Sequence, residues 1–269
     1  MTRDVGVLAG GCHIFGSNGC GYPAPSLDSF LFRPLFSVGG FHFTKPMLLA
    51  VISAAVVIAF FWRAFAKPKL VPGPTQNLAE MGILFVRDQV LRPMMGKQGD
   101  SYLPFLVSLF FFIWVMNLME IIPLAQFPAM SRIAFPVALT LMVYVTYTYQ
   151  SIKRMGLVGY FAGMIPKGVP VGILVILVPV EILQYLIVRP FTLAVRLFAN
   201  MFAGHILVAV FTIASWYLFS VGIGLLFSAT SFILVIALTL FEMLIQALQA
   251  YIFTILTAQY IGGAYETGH

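Results

Sequence analysis

Only a few side chains in the two long apolar stretches of this sequence can take part in proton or charge chemistry. Glu181, Arg189, Arg196, Asn200 and His205 lie in the first stretch, and Glu242, Gln246 and Gln249 in the second. Arg196 is the most demanding of them. A guanidinium near the centre of a bilayer costs about 2.5 to 3.5 kcal/mol on insertion scales, so it needs a counter-charge, a wet cavity or a partner that supplies either. The bland alternative is an internal ion pair with Glu181 or Glu242. Histidine as a residue type titrates near neutrality, so a carboxylate beside His205 would complete a proton relay. Asn200, Gln246 and Gln249 suit either that relay or hydrogen-bonded packing between helices. Arg189 is placed where it can snorkel toward an interface. Glu181, with Pro179 two residues before it, fits an irregular turn or the lining of an exit path. Asn117 and Glu120, near the end of a shorter apolar run, fit a structural interfacial role as well as any other.

The elements that must position these groups are membrane helices. The 269 residues are 61% hydrophobic and 9% charged, with a mean hydropathy of +0.98, far outside the range of a soluble domain. The fold class is therefore an all-α integral membrane protein. Residues 47–65 form the first span, and Pro68, Pro72, Gly73 and Pro74 break the chain after it. From Thr75, the recurrence of Leu78, Met81, Phe85 and Leu91 predicts an amphipathic surface helix. Residues 103–122 and 133–152 are the second and third spans, followed by a loop from Lys153-Arg154 to Lys167. The stretches 171–220 and 221–261 are each too long for one upright crossing of a hydrocarbon core about 30 Å thick, so they must break, re-enter or tilt strongly. Residues 1–45 read as a non-cytoplasmic arm and 46–269 as a single membrane domain.

Nine basic residues, Arg63, Lys67, Lys69, Arg87, Arg92, Lys97, Lys153, Arg154 and Lys167, fall on one side of these spans. Arg3, Arg33, Lys45 and Arg132 fall on the other. The positive-inside rule then places the amino terminus outside and the carboxyl terminus in the cytoplasm. The net charge of +6 is scattered singly rather than gathered on one face, which excludes a nucleic-acid partner. Cys12 and Cys20 match no metal spacing and leave one disulfide or two thiols open. No phosphate loop, metal cluster or nucleophile–base pair occurs, so neither a cofactor nor covalent catalysis by the chain alone is expected.

If the last two stretches form an antiparallel hairpin, His205 faces Glu242, Asn200 faces Gln246 and Arg196 faces Gln249. All three pairs centre close to Gly222–Gly224, where a turn is easily made. Arg189, Arg196 and Asn200 share one helical stripe, whereas His205 points away from it. Arg196 is thus free to address a partner while His205 addresses the seam.

The segment Arg189-Pro190-Phe191-Thr192-Leu193-Ala194-Val195-Arg196-Leu197-Phe198-Ala199-Asn200-Met201-Phe202-Ala203-Gly204-His205 closely resembles the signature of subunit a of F-type ATP synthases. Met116-Asn117-Leu118-Met119-Glu120-Ile121-Ile122-Pro123, Ser151-Ile152-Lys153-Arg154-Met155-Gly156 and Gln249-Ala250-Tyr251-Ile252-Phe253 extend the resemblance across roughly residues 45 to 265. It implies a stator subunit in a bacterial plasma membrane, or alternatively a mitochondrial inner membrane, lying against a ring of subunit c. The peripheral stalk subunit b, the rest of the complex and membrane lipid are the other implied partners. Arg196 matches the arginine that faces the ring carboxylates and separates two half-channels. Asn200, His205, Glu242 and Gln249 match positions lining the non-cytoplasmic half-channel. Gln246 rests on the hairpin register alone. Ser131-Arg132-Ile133-Ala134-Phe135-Pro136 departs from the Thr-Ala-Asp/Asn motif of many members. Glu181 lies one residue farther from Arg196 than the comparable carboxylate, which requires a helix bulge between them or a different role for Glu181. The competing reading is a self-contained ion channel or secondary transporter.

Overall fold

The computed structural model describes residues 7–8, 12–13, 36–38, 41–122, 125, 127–163, 171–219 and 223–266. In the arm, β1 (Val7–Leu8) pairs antiparallel with β2 (Cys12–His13), and β3 (Phe36–Val38) with β4 (Phe41–Phe43). Cys20 lies outside the described residues, and with it any disulfide. The described residues after Thr44 are helical or in short connections.

α1 (Lys45–Phe65) carries Pro46 in its first turn, where the missing N–H costs nothing. α2 (Pro74–Phe85) begins on Pro74 in the same way and continues through a π-helical turn, Val86–Leu91, into α3 (Arg92–Met95) and a 3₁₀ segment, Gly96–Tyr102. α4 (Leu103–Leu118) stops four residues before the expected end of the second span. The amides of Glu120 and Ile121 turn back to the carbonyls of Asn117 and Leu118, at 3.1 Å each, so Glu120 sits in a tight turn rather than on a helix. α5 (Ala134–Ala162) runs past its expected end, and Lys153 and Arg154 belong to the helix rather than to a loop. The chain bends instead at Gly156, whose φ of +72° a side chain would disfavour. The remainder of the expected loop, 164–170, lies outside the described residues.

α6 (Val171–Leu183), a π-helical turn (Gln184–Val188) and α7 (Arg189–Tyr217) follow without a gap, and α8 (Ile223–Glu266) is continuous over 44 residues. At 1.5 Å per residue α8 is about 66 Å long, more than twice the hydrocarbon thickness, so of the expected solutions tilt is the one left to it. α7 and α8 pack as the anticipated antiparallel hairpin. Residues 220–222, between the two helices, lie outside the described residues. Four helical runs, Lys45–Phe65, Pro74–Leu118, Gly172–Tyr217 and Gly224–Gly263, are long and apolar enough to cross a membrane. The threonine- and tyrosine-rich α5 is not among them, although its 29 residues are long enough.

One apolar core ties these helices together. Leu106, Leu109, Ile113 and Met116 line one face of α4 and belong to one buried cluster with Phe253, Ala258 and Ile261 of α8 and Leu193, Leu197 and Met201 of α7. Thr254 and Thr257, fully buried on α8, turn their hydroxyls back to the carbonyls of Ala250 and Phe253 at 2.8 Å and so leave no open donor. The outside is as apolar as the inside: Val175 and Ile176 on α6 are each 73% exposed, a surface suited to lipid. Close approach of α8 to α3 depends on Gly262, where a Cβ would stand 2.7 Å from the Met94 carbonyl oxygen. Gly262→Val is expected to force these helices apart at a cost of about 1–3 kcal/mol. Thermal unfolding of the detergent-solubilised complex should show a lower midpoint; an unchanged midpoint would mean that the contact is dispensable.

Candidate functional site

The polar residues singled out in the sequence gather along α7 and α8, but their partners differ from the register expected. Asn200 donates its Nδ2 to Gln249 Oε1 at 2.9 Å, not to Gln246. Gln246 donates its Nε2 to Glu120 Oε2 at 3.1 Å. His205 Nδ1 stands 3.0 Å from Glu120 Oε1 rather than against Glu242. Arg196 makes no hydrogen bond to Gln249, although both line one groove. The reason is a third element. The tight turn after α4 inserts Glu120 between the two long helices, and its two carboxylate oxygens take the groups that a simple hairpin would have paired with each other. Ser228 Oγ, which donates to the Ser215 carbonyl at 2.6 Å, and Gly204, which abuts the Glu242 carboxyl, keep the hairpin within a few residues of the expected alignment.

Glu242 is 6% exposed and lies against the Glu120 carboxyl. Gln246 and Asn117 are fully buried and Gln249 is 2% exposed. Five of their atoms, Asn117 Nδ2 and Oδ1, Glu242 Oε1, Gln246 Oε1 and Gln249 Nε2, have no hydrogen-bond partner among the described residues. A buried polar atom left so costs about 1–3 kcal/mol, which makes this seam a place where water is favoured. Glycine at 204 is required by the same crowding, since any Cβ there would collide with the Glu242 carboxyl.

Arg196 is different in kind. Its immediate helical neighbours Leu197 and Leu193 are buried, but Arg196 itself is exposed, and among the described residues it has no ion pair or hydrogen bond. The internal pairing with Glu181 or Glu242 is therefore absent. A groove of about 510 Å³ starts at Arg196 and runs past Asn200, Gly204, Glu242 and Gln249 between α7 and α8. A second, more polar cavity of about 400 Å³ lies on the other side of Arg196 along the same two helices. It is lined by Gln184, Tyr185, Arg189, Thr192, Gln259 and Tyr260.

Arg189 does not reach for an interface. Its guanidinium lies 3.4 Å from the ring centroid of Tyr185 and 5.2 Å from that of Tyr260. Glu181 sits half-buried on α6 and lines neither cavity. Between it and Arg196 lies the π-helical turn Gln184–Val188, which accommodates the extra residue seen in the sequence. The departing segment after α4 serves the fold: Ser131 donates its hydroxyl to the Pro128 carbonyl at 2.7 Å inside a 3₁₀ turn. Sequence reasoning gave too little weight to Glu120 and missed the tyrosines around Arg189. The signal for Glu120 was present in Met116–Pro123, one of the segments carrying the resemblance. For the tyrosines, scattered over three helices, there was none.

The profile of the ATP synthase A chain family matches residues 47–262, most of the chain. This chain belongs to that family. Similar proteins include ATP synthase subunit a of Streptomyces lividans, 50% identical over 262 residues that cover 96% of this chain and 92% of that one. Subunit a of Frankia alni is 44% identical over 92% of this chain and 88% of its own, and subunit a of Rhodospirillum rubrum 36% over 88% and 97%. With its long apolar helices, the chain is a multi-pass membrane protein of the ATP synthase membrane sector.

Asn200 and Gln249 are close enough to test the register chemically. Asn200→Cys with Gln249→Cys is expected to cross-link more readily with a short thiol-specific bifunctional reagent than Asn200→Cys with Gln246→Cys, because the side chains at 200 and 249 meet directly whereas that of Gln246 turns to Glu120. Non-reducing electrophoresis reads the result, and the reverse preference would restore the simpler hairpin register.

Proposed function

We propose that this chain is the stator subunit that passes protons to and from the carboxylates of the subunit c ring, through two half-channels separated by Arg196. The observation that carries the reading is the exposed guanidinium of Arg196, unpaired among the described residues and standing between a largely apolar groove that holds Asn200, Glu242 and Gln249 and a more polar cavity along α7 and α8. A charge left uncompensated at that depth is tolerable only if another molecule compensates it. A ring carboxylate passing in front of Arg196 does so. The same attraction favours the ionised carboxylate and thus proton release there.

In this reading the amino terminus is outside and the carboxyl terminus in the cytoplasm. Protons enter the seam from outside through Glu120, His205 and Glu242, whose oxygens and ring nitrogens can each hold a proton and pass it on. They reach the groove beside Asn200 and Gln249 and load a ring carboxylate. After the ring has turned they leave through the second cavity, past Gln184, Gln259 and Arg189, which lies nearer the carboxyl end of α8. Glu181, apart from both cavities, has no step. Gln246 orients the Glu120 carboxylate, and Asn200 and Gln249 orient one another. Each charge crossing at 100 mV contributes about 2.3 kcal/mol, so several crossings are summed by rotation for each nucleotide made. The peripheral stalk subunit b and the rest of the complex hold the chain still against the ring.

Arg196→Ala is expected to abolish ATP-driven proton pumping by the assembled enzyme in inverted membrane vesicles while ATP binding in the headpiece remains. Pumping at the wild-type rate would refute the stator reading. Glu120→Gln and His205→Ala should each slow pumping, and the double variant should be no slower than the worse single one, because both remove one link of one relay. Fully additive losses would separate the two residues.

A further inference from the structure

Arg189 and the tyrosines around it form a charged cluster that the proton path above passes but does not use. An arginine side chain near a membrane surface ordinarily extends toward water and headgroups. Here three elements hold it back. Tyr185, four residues earlier, lies beneath the guanidinium at 3.4 Å, and Tyr260 of α8 flanks it at 5.2 Å. Tyr147 of α5 packs its ring 5.7 Å from that of Tyr260 and donates its hydroxyl to the Tyr185 carbonyl at 3.3 Å. That carbonyl belongs to the π-helical turn, where Arg189 N–H bonds back to Gln184 and the normal helical ladder is shifted by one residue. The extra residue of this sequence thus places an aromatic ring under the arginine and exposes a carbonyl by which α5 pins it.

The groups facing Arg189 are all uncharged at neutral pH. Tyr144, Tyr147 and Tyr160 stand on α5, Tyr185 on the π-helical turn and Tyr260 on α8. The other charge on its own helix is Arg196, seven residues on, about two turns or 10 Å along the axis. Glu181 is the carboxylate of α6, and it makes no ion pair with Arg189. The guanidinium therefore contributes an uncompensated positive charge to the wall of the 400 Å³ cavity.

We propose that Arg189, clasped between Tyr185 and Tyr260 in the wall of the cytoplasmic cavity, is the fixed charge that sets how readily protons are released to and taken up from the cytoplasm. This rests on the proton path proposed above. A positive charge about 10 Å from a titrating carboxylate lowers its proton affinity, by about one pH unit at an effective dielectric of about 20. Release during synthesis is thereby favoured even into a moderately acidic cytoplasm, and uptake during reverse pumping is confined to lower pH. Arg189 acts as a positioning and tuning group rather than as a carrier of protons.

The test uses the whole enzyme in inverted vesicles, where the cytoplasmic side faces the medium and its pH is set directly. The rate of ATP-driven proton uptake is measured against that pH for the wild type, Arg189→Gln, Arg189→Lys and Tyr185→Leu, normalised to assembled complex. Removing the charge in Arg189→Gln should move the alkaline midpoint of uptake upward by about one unit. Arg189→Lys, which keeps the charge, should return it most of the way. Tyr185→Leu, which keeps the charge but frees it to leave the cavity, should shift it in the same direction as Arg189→Gln, and it serves as the readout if Arg189→Gln does not assemble. A midpoint that stays in place in these variants, or that moves alike in the Gln and Lys variants, overturns the proposal. Neither result touches the stator reading, which stands or falls with Arg196→Ala.

Discussion

The constraint on which the structure turns is the charge of Arg196, which has no ion-pair partner among the described residues. Arg196 lies on a helix whose neighbouring positions Leu193, Ala194 and Leu197 are packed into the core, yet its own guanidinium is exposed and meets no carboxylate. In a soluble protein such a residue would be unremarked, since water would solvate it. On an apolar membrane helix the same exposure is an unfinished interaction. The rest of the fold keeps it unfinished. The carboxylates close enough in sequence to neutralise it are engaged or placed elsewhere: Glu242 lies against Glu120 behind Gly204, and Glu181 is set back on α6 beyond the π-helical turn.

The seam behind Arg196 shows how a short turn can reorganise a long hairpin. α7 and α8 alone would present two rows of polar groups to each other. Ending α4 at Leu118 brings Glu120 into the line between those rows, where one oxygen meets His205 and the other Gln246. Asn200 and Gln249 pair with each other instead, and the atoms of Asn117, Glu242, Gln246 and Gln249 left without a partner among the described residues make the seam hydrophilic inside an otherwise apolar core. Polarity is concentrated along one line, and the threonines of α8 that might have blurred it bond back to their own helix.

Much of this was readable from residue order. The extent of α1, the presence of two overlong helices, their antiparallel packing and the outward stripe of Arg196 all follow from hydropathy and helical periodicity, which are local properties. The extra residue between Glu181 and Arg196 left open a bulge or a different role for Glu181, and a π-helical turn, Gln184–Val188, lies between the two. The ends of α4 and α5 were misjudged because apolar composition continues past Leu118 and basic residues precede the true break at Gly156. Composition marks what can enter a membrane, whereas backbone geometry marks where a helix stops.

The sequence by itself determined the class of the molecule and singled out the polar side chains of its apolar helices, since a charge in an apolar helix is conspicuous wherever its neighbours lie. Only the tertiary structure decided who pairs with whom. Glu120 is separated from His205 by 85 positions and from Gln246 by 126, and Tyr147 from Tyr185 by 38. No periodicity relates positions so far apart. Their contacts arise from where a turn, a π-helical residue and a glycine let helices approach, and side-chain partners a few ångströms apart are chosen by that approach rather than by residue type.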